Sequence, residues 1–318
     1  MSTSPGILAP TTDRPELSEA DHHLWQALVA QRCGLRFGES RKAYLSRRLW
    51  QRMRALDLSS YGDYYRRLLF EGEGGDEWPM LLELLVNRET TFFRHPPSFE
   101  ALRQVLALRT GSRGSMGHQR HLSLWSAGCS TGEEAYSLAM TALEVAEAVP
   151  EPWTVRVLGT DISSVSRQRA RRGLYRPERM ASLSESQRRR FLRPVPRAKV
   201  DGGQSTADVE VSDSLKSVVR FEAWNLMDPD SYPATAQDAI FCQNLLVYLG
   251  HADRLAVVER LCRCLAPGGD LFLAPGEVVG LRLPGIELVH VAGCSIYRRA
   301  VGPSGVAVGS STTQWDGV

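Results

Sequence analysis

The sequence predicts an α/β protein in which a small helical N-terminal domain precedes a doubly wound, mainly parallel β-sheet. Between residues 16 and 90, apolar side chains such as Leu45, Leu49 and Met53 recur at helical spacing. From residue 122 onward, short apolar strands alternate with helices. This alternation is typical of a sheet whose strands run mostly parallel with helices on both faces.

The individual elements of the second part follow from this pattern. Strands are predicted at Leu122–Ala127, Thr154–Thr160, Val218–Ala223, Asp238–Cys242 and Asp270–Ala274, with a closing hairpin of Glu287–Val291 and Ser295–Arg299. Helices are predicted at Glu133–Val149, Ser163–Arg172 and Arg254–Leu265, the last ended by Pro267–Gly269. Thr131 is a predicted N-cap, with Glu134 completing a capping box.

These elements divide the chain into five predicted regions. They are a disordered start (1–15), the helical domain (16–90), a linker with a connecting helix (91–121), the sheet domain (122–300) and a flexible tail (301–318). Within the sheet domain, residues 193–222 interrupt the alternation and are predicted to form an insertion that turns at Gly202-Gly203.

Composition excludes several classes of protein. The formal net charge of +2 argues against a polyelectrolyte partner, so we expect no nucleic acid. The six cysteines form no CxxC pair and the histidines lack zinc spacing, so we expect no metal and a reducing, cytoplasmic location. The N-terminus lacks the apolar segment of a signal peptide, and no apolar run reaches 18 residues, so we expect no membrane insertion.

The turn after the first predicted strand, Ala127–Gly132, indicates a nucleotide-type site. Gly128 and Gly132 remove Cβ atoms where a ligand approaches the backbone. Asp161, at the end of the second strand, can accept hydrogen bonds from both hydroxyls of a ribose. Together these residues predict an adenosine-binding crevice.

Other interpretations of the same residues stay open. The turn is not GxGxxG, and no lysine follows the second glycine as in a P-loop, so dinucleotide and nucleoside triphosphate sites are disfavoured. A glycine-rich turn alone is weak evidence for a ligand, and Asp161 could simply cap the next helix.

Seven blocks in order resemble the CheR family of receptor methyltransferases over about residues 20 to 300. LWSAGCSTGEEAYSLAM (124–140) resembles the family's cofactor loop, and TTFFR (90–94) resembles the segment that joins its two domains. The other blocks are DIS (161–163), ARRGLY (170–175), FEAWNL (221–226), AIFCQNLLVYL (239–249) and LAPGGDLFLAPGE (265–277).

The resemblance implies a class I, Rossmann-like methyltransferase domain with a small antiparallel β insertion and S-adenosylmethionine as methyl donor. It implies that Thr90 and Arg94 line the donor pocket from the linker side. Gly128 and Glu134 would lie near the methionyl end of the donor, and Asp161 at its ribose. The residues implied near the adenine and near the reaction centre are Asn225, Leu226, Asn244 and Tyr248.

Two positions of the predicted donor site depart from the family pattern. Arg88 stands where many members have Asn, and Gln243 stands where they have Arg in a Cys-Arg-Asn block. Gln243 keeps hydrogen-bonding capacity but has no permanent charge. Both residues stay in the predicted donor site, but the role that the family gives to its arginine is not carried over to Gln243.

The resemblance implies methylation of glutamate side chains on chemoreceptors, which gives methyl esters, and S-adenosylhomocysteine is the second product. A carboxylate is ionised at neutral pH, since free Glu titrates near ~4.3, so the reaction needs no general base. Arg94 is our candidate for positioning the acceptor carboxylate, with an interdomain ion pair to Glu134 as the alternative. Tyr248 is the second candidate catalytic residue, with a core aromatic role as the alternative.

A basic helix in the first domain is the predicted docking site for the cytoplasmic helical domain of a chemoreceptor. Arg41, Arg48 and Arg52 are expected to share one helix face, and an acidic helical partner would be attracted to it. A solvated amphipathic helix is the alternative. We expect a monomer.

Two other functions compete with this one. A non-catalytic, CheR-like regulatory protein would keep receptor binding without turnover, and the departures at Arg88 and Gln243 motivate it. A small-molecule methyltransferase is disfavoured, because such enzymes need no helical domain joined through TTFFR.

Overall fold

The structure is a computed structural model that describes residues 14–72, 75–113, 120–195 and 208–301. Residues 1–13 of the predicted disordered start, Gly202-Gly203 and nearly all of the predicted tail lie outside these residues.

Four helices build the first part of the chain around a core of their own. They are α1 (Glu19–Cys33), α2 (Lys42–Ala55), α3 (Tyr61–Glu71) and α4 (Glu77–Leu85), and a short 3₁₀ helix (Glu39–Arg41) leads into α2. Leu45, Leu49 and Met53 lie one helical turn apart on α2 and are fully buried with Trp25 and Tyr64. The stripe that predicted this helix is therefore its buried face.

The second part combines ten strands with six helices among the described residues. The helices are α5 (Pro96–Arg113), α6 (Glu133–Glu147), α7 (Ser164–Arg172), α8 (Glu185–Phe191), α9 (Asp213–Lys216) and α10 (His251–Arg263). The strands are β1 (His121–Ala127), β2 (Thr154–Asp161), β3 (Leu174–Tyr175), β4 (Leu192–Val195), β5 (Asp208–Val211), β6 (Val219–Ala223), β7 (Gln237–Cys242), β8 (Leu265–Leu273), β9 (Ile286–Val291) and β10 (Cys294–Arg299).

Seven strands form one sheet in the order β6-β2-β1-β7-β8-β10-β9. The first five are parallel to their neighbours, while β10 runs antiparallel to β8 and to β9. The predicted doubly wound sheet with a closing hairpin is confirmed. Because the chain leaves β1 toward β2 on one side and returns to β7 on the other, a crevice opens at the carboxyl ends of these strands.

Separate apolar clusters cover the two faces of this sheet. One contains Phe99, Leu102 and Phe241, and the other contains Ile240, Val257 and Leu261. Successive residues of β7 thus point into different cores, as the two-residue period of a strand requires. No helix among the described residues is long and apolar enough to cross a membrane.

The predicted small antiparallel insertion is present as a three-stranded sheet in the order β3-β5-β4. Its strand β3 comes before residue 193, and β6 belongs to the large sheet. The predicted range 193–222 therefore does not coincide with this sheet. The two-residue strand β3 is too short to be recognised from a periodic pattern.

Two local predictions were wrong. Thr131 is not the N-cap of α6, because Gly132 occupies that position with φ +98° and the Thr131 hydroxyl donates to the Glu133 carboxylate (2.6 Å). The Glu134 carboxylate accepts from the Ser126 hydroxyl (2.6 Å) instead of closing a capping box. In addition, Pro267–Gly269 lies within β8 and does not end α10.

Candidate active site

A cleft of about 1130 Å³, counted with its open mouth, lies at the carboxyl ends of β1, β2 and β7. The helical part closes its other side through α4 and the segment that follows it. All ten predicted donor-site residues line this cleft: Arg88, Thr90, Arg94, Gly128, Glu134, Asp161, Asn225, Leu226, Gln243 and Asn244. Tyr248 and Arg41 also line it, whereas Arg48 and Arg52 do not.

The loop between β1 and α6 is tied to the end of β2. The Gly128 N–H donates to the Thr160 carbonyl (2.8 Å), and Gly128 has φ +83°. A Cβ at Gly128 would lie 2.3 Å from Leu245 Cδ1, so a larger residue would both strain the turn and displace Leu245. The glycine therefore lets the loop from β1 and the loop from β7 approach each other across the cleft.

The Asp161 carboxylate holds the cofactor loop from the neighbouring strand. It accepts the backbone N–H of Ser130 and that of Ser163, both at 2.8 Å. Burial raises its pKa, and these two hydrogen bonds oppose that increase. A carboxylate offers about four acceptor positions, so two are still available for ribose hydroxyls.

Glu134, in the first turn of α6, is a buried carboxylate in the wall of the cleft. Its pKa is raised to about 7, chiefly by burial and also by the negative charge of Glu277, although the Ser126 hydrogen bond and the positive charge of Arg94 oppose the increase. A cation bound beside Glu134 would stabilise its ionised form. A donor that carries an α-ammonium and a sulfonium fits this wall.

The far end of the cleft is formed by the loop after β6. The Asn225 side chain donates to the Arg32 carbonyl (2.9 Å) and accepts from the Met227 N–H (3.0 Å). The Leu226 side chain is buried, and its carbonyl accepts from the Tyr232 hydroxyl (2.8 Å). Asn225 thus fixes this loop against α1, and Leu226 gives the wall an apolar surface suited to a base.

The segment from Arg88 to Thr90 is held by ion pairs and by the short 3₁₀ helix Pro177–Met180. The Arg179 guanidinium donates to the Thr90 carbonyl and lies 3.6 Å from the Glu133 carboxylate. Arg88 lies 3.7 Å from the Glu83 carboxylate. In this structure Arg88 therefore supports the junction between the two parts of the chain while it lines the cleft.

Gln243 uses its amide to join the loop after β7 to the start of α5. Its Nε2 donates to the Ser98 hydroxyl (2.8 Å), and that hydroxyl also contacts His95 Nδ1 (2.7 Å). Asn244, the next residue, has φ +59°, a conformation that asparagine tolerates better than most residues. A neutral amide at 243 is thus compatible with a well-ordered loop.

The two candidate catalytic residues lie at the mouth of the cleft. Arg94 is exposed, and its Nη1 donates to the Glu89 carbonyl (3.0 Å). Tyr248, on the short 3₁₀ helix Leu246–Tyr248, is half-buried and accepts from Asn87 Nδ2 (3.1 Å). Neither group is consumed by a buried core contact, and both can reach a molecule entering from solvent.

The three predicted docking arginines have different surroundings. Arg52 is 15% exposed and pairs with Glu77 at two points (Nε–Oε1 2.8 Å, Nη2–Oε2 2.7 Å). Arg41 packs over the Tyr248 ring (5.0 Å), and Arg48 packs over the Tyr44 ring (4.9 Å). Arg52 is thus committed to α4 and does not share a solvent face with the other two.

Several lining residues had no signal in the sequence. Leu35 and Phe37, from the turn between α1 and α2, close the cleft from the helical part. Glu277 does not line the cleft but is almost fully buried, and its carboxylate accepts the backbone N–H of Ala274 (3.0 Å) and that of Val247 (3.4 Å). The motif that contains Glu277 was recognised, but a single sequence does not reveal that its carboxylate ties two loops together.

One cluster has the residue types of a metal site. Carboxylate and imidazole atoms of Glu19, His22 and Glu39 lie within 4.8 Å of one another. Lys42 pairs with Glu19, and His22 Nδ1 lies 3.1 Å from the Glu39 carboxylate. These groups therefore have contacts with other side chains of the helical part.

A sheet in this strand order, with a glycine turn after β1 and an acidic residue ending β2, is the arrangement predicted for a class I S-adenosylmethionine-dependent methyltransferase. Residues 20–86 match the CheR methyltransferase all-alpha domain, and residues 88–285 match the CheR methyltransferase SAM-binding domain. The chain belongs to the CheR methyltransferase family.

Named relatives agree with this assignment. The chemotaxis protein methyltransferase of Escherichia coli K12 is 30% identical over 85% of this chain and 88% of its own length. Chemotaxis protein methyltransferase 2 of Pseudomonas aeruginosa is 30% identical over 84% of this chain and 88% of its own. The probable biofilm formation methyltransferase WspC of the same organism is 32% identical over 86% of this chain and 61% of its own.

The predicted family, fold and donor are therefore confirmed, and the chain is a methyltransferase that uses S-adenosylmethionine. The glycine turn, the free acceptor positions of Asp161 and the buried Glu134 fit this donor.

Proposed function

We propose that this methyltransferase esterifies glutamate side chains on the cytoplasmic helical domain of a chemoreceptor. The observation that carries the proposal is the pairing of a buried donor cleft with Arg94 and Tyr248 at its open mouth. Names of relatives that refer to chemotaxis support the choice of partner. A protein side chain can reach such a mouth without entering the cleft.

The chemistry needs position more than acid or base. A bound donor supplies an electrophilic methyl group on a sulfonium. A bond forms between the carboxylate oxygen and the methyl carbon as the carbon–sulfur bond breaks, and the electron pair stays on sulfur as a thioether. Since the carboxylate is already ionised at neutral pH, no proton is transferred. Alignment of reacting groups can lower a barrier by ~7–11 kcal/mol in favourable cases.

The residues at the mouth suit this task. The planar fork of the Arg94 guanidinium can hold a carboxylate at two points. The Tyr248 hydroxyl adds a directional contact. Glu134 and Asp161 would hold the α-ammonium and the ribose of the donor, and Leu226 would face the adenine.

For receptor docking we propose the solvent face of α2. Arg47, Arg48, Trp50, Gln51 and Arg54 line a shallow surface there. We call these five residues the α2 surface. Its arginines would attract an acidic helix, and Trp50 adds apolar contact area. Arg52 is left out because Glu77 neutralises it inside the domain.

The proposal also includes a monomer that acts in the cytoplasm, where receptor signalling helices are reached without crossing a membrane. The formal charge of +2 is small, so attraction to the receptor would come from the local α2 surface rather than from the whole protein.

The experiment that tests the function is transfer of a labelled methyl group from the donor to a panel of receptor cytoplasmic domains. Label should appear as a base-labile ester on glutamates of at least one receptor. If donor binds by calorimetry but no receptor is labelled, a non-receptor acceptor or a regulatory role replaces this proposal.

A further inference from the structure

Tyr248 belongs to the methyltransferase domain, yet residues of the helical part surround its side chain. Asn87 contacts its hydroxyl and Arg41 covers its ring. The backbone N–H of Arg36 donates to the Tyr248 carbonyl (2.8 Å), which anchors the residue itself. Three separate contacts therefore set the position of one side chain at the cleft mouth.

The contact with Asn87 has a defined direction. Asn87 Oδ1 accepts the backbone N–H of Glu89 (3.1 Å), so the other end of the amide, Nδ2, faces Tyr248 and donates to its hydroxyl oxygen (3.1 Å). A phenol that accepts at its oxygen keeps its own hydrogen free for another partner. Asn87 therefore orients the hydroxyl without using its hydrogen.

Arg41 restrains the ring of Tyr248. Its guanidinium carbon lies 5.0 Å from the centre of that ring, 4.9 Å from that of Phe37 and 5.5 Å from that of Tyr44. A planar cation among three aromatic rings has little freedom, and its attraction to each ring favours this arrangement. Arg41 lies at the point where the 3₁₀ helix Glu39–Arg41 passes into α2.

We propose that Asn87 and Arg41 are positioning residues that hold Tyr248 so that its hydroxyl hydrogen points to the methyl-accepting carboxylate. This inference rests on the proposed function. In the transfer, the carboxylate loses negative charge while the sulfonium loses positive charge. A second cation on the acceptor, in addition to Arg94, would stabilise the ionised carboxylate and slow its attack. A neutral phenol orients the acceptor at a smaller electrostatic cost.

The substitution Asn87→Asp tests the direction of this hydrogen bond. The new carboxylate can still accept a hydrogen bond from the Glu89 N–H. Unlike the amide, however, it has no hydrogen to donate to Tyr248, so the phenol would donate its own hydrogen to this carboxylate instead of to the acceptor. We expect the kcat for receptor methylation to fall about 10-fold or more, the order expected when an orienting contact is lost. The KM for the donor and the melting temperature should stay near those of the wild type.

Two further variants separate positioning from a structural role. Gln104→Glu, which adds the same charge at an exposed site on α5, should leave kcat unchanged. If Asn87 only braces its own loop, Asn87→Asp should also be tolerated, because the bond to Glu89 survives; wild-type kcat in that variant overturns the proposal.

Arg41 is tested by its coupling to Tyr248. Arg41→Gln should lower kcat about 10-fold with little change in receptor KM, whereas a docking residue would change KM. In a Tyr248→Ala background the same substitution should have almost no further effect on kcat. Additive losses in this double-mutant cycle would contradict the assignment of Arg41. The exposed residue Arg66, on α3, provides a charge control as Arg66→Ala.

A readout without turnover keeps this inference separate from the proposed function. Side-chain resonances of Arg41 (Nε–Hε) should show ring-current shifts that decrease in Tyr248→Leu, and the Asn87 amide resonances should move in Tyr248→Phe. Unmoved resonances would overturn the positioning geometry whatever the acceptor is. If the resonances move but no receptor is methylated, the contacts of Asn87 and Arg41 with Tyr248 are confirmed. The proposed function is then wrong, and so is the proposal that Tyr248 aligns a receptor carboxylate.

Discussion

The carboxylate of Glu83, on α4, accepts a hydrogen bond from the Ser163 hydroxyl (2.6 Å), and it also accepts the backbone N–H of Val165 (3.1 Å). A side chain of the helical part thus caps α7, the helix that follows Asp161. A negative charge at a helix N-terminus is favourable, because it compensates the unpaired N–H groups there. The helical part is therefore joined to the strand end that supports the cofactor loop.

We expect Glu83→Ala to lower stability by about 1–2 kcal/mol, the usual cost of a lost helix cap. Donor affinity should fall with it, since the Ser163 N–H also bonds Asp161. Thermal unfolding and calorimetry with the donor measure the two effects. Glu71→Ala is the control, because it removes a carboxylate of the helical part that pairs with Arg67 on α3 and does not line the cleft; equal losses in both variants would mean that the cap is unimportant.

Asp161→Ala should weaken donor binding by about 1–3 kcal/mol, the cost of leaving polar groups unpaired. Part of this loss reflects the cofactor loop, because the Ser130 and Ser163 N–H groups lose their acceptor. Calorimetric titration with the donor measures it. Asp228→Ala, which removes a turn-capping carboxylate outside the cleft, should leave donor affinity unchanged. Wild-type affinity in Asp161→Ala would remove this residue from the donor site.

Glu134 predicts a pH dependence with a definite sign. Its pKa in the folded protein is about 7, above the ordinary value of 4.5, so the folded state retains a proton that the unfolded state has lost between these values. Its contribution to the free energy of unfolding is therefore present below pH 4.5 and is lost as pH rises toward 7. Glu134→Gln, which is neutral throughout, should be more stable than the wild type at pH 8. The difference in free energy of unfolding between the two proteins should be smaller at pH 5.

The same residue predicts the opposite trend for the donor. Donor binding should favour the ionised carboxylate and release protons near pH 7, so wild-type affinity should rise between pH 6 and pH 8. Glu134→Gln should bind more weakly and without this trend. Calorimetry in buffers of different ionisation enthalpy detects the protons. Glu147→Gln, at the exposed end of α6, is the control, and a flat wild-type profile would argue that Glu134 does not face the donor cation.

The cofactor crevice could be predicted because its signals are local. A strand, a glycine turn and an acidic strand end lie within short segments, and the β1 and β2 predictions placed Gly128 and Asp161 together. The contact between Asn87 and Tyr248 joins residues 161 positions apart and depends on how two domains pack. The surroundings of Arg52 could not be predicted for the same reason, since Glu77 lies on another helix.

Arg52 and Arg54 allow docking to be separated from stability. Arg52→Ala leaves the Glu77 carboxylate, only 4% exposed, with its Tyr64 hydrogen bond but without its cationic partner, and breaking such a buried pair typically costs about 3–5 kcal/mol. Arg54 is exposed on the α2 surface, so Arg54→Glu should leave stability unchanged. It should raise the receptor KM and reduce its salt dependence, because one attractive charge has been reversed. Unchanged KM in Arg54→Glu would place docking elsewhere.

Arg94 is the residue that we expect to position the methyl-accepting carboxylate. It is exposed at the cleft mouth, bonds the Glu89 carbonyl through one nitrogen and keeps the rest of its fork available. Arg94→Ala should lower kcat by about two orders of magnitude, the order of loss expected from a misplaced reacting group. Initial rates at saturating donor and receptor measure this loss, and Arg189→Ala, on the exposed face of α8, is the control.

Arg94→Lys distinguishes charge from geometry, because lysine keeps the charge and loses the two-point fork. If two-point positioning matters, the lysine variant should stay close to Arg94→Ala. If charge alone matters, it should recover most of the rate. Donor affinity must be measured in both variants, since the charge of Arg94 also lowers the pKa of Glu134. A stable Arg94→Ala protein with normal donor affinity and a near-normal rate would exclude the positioning role, because the acceptor would then be aligned without this guanidinium.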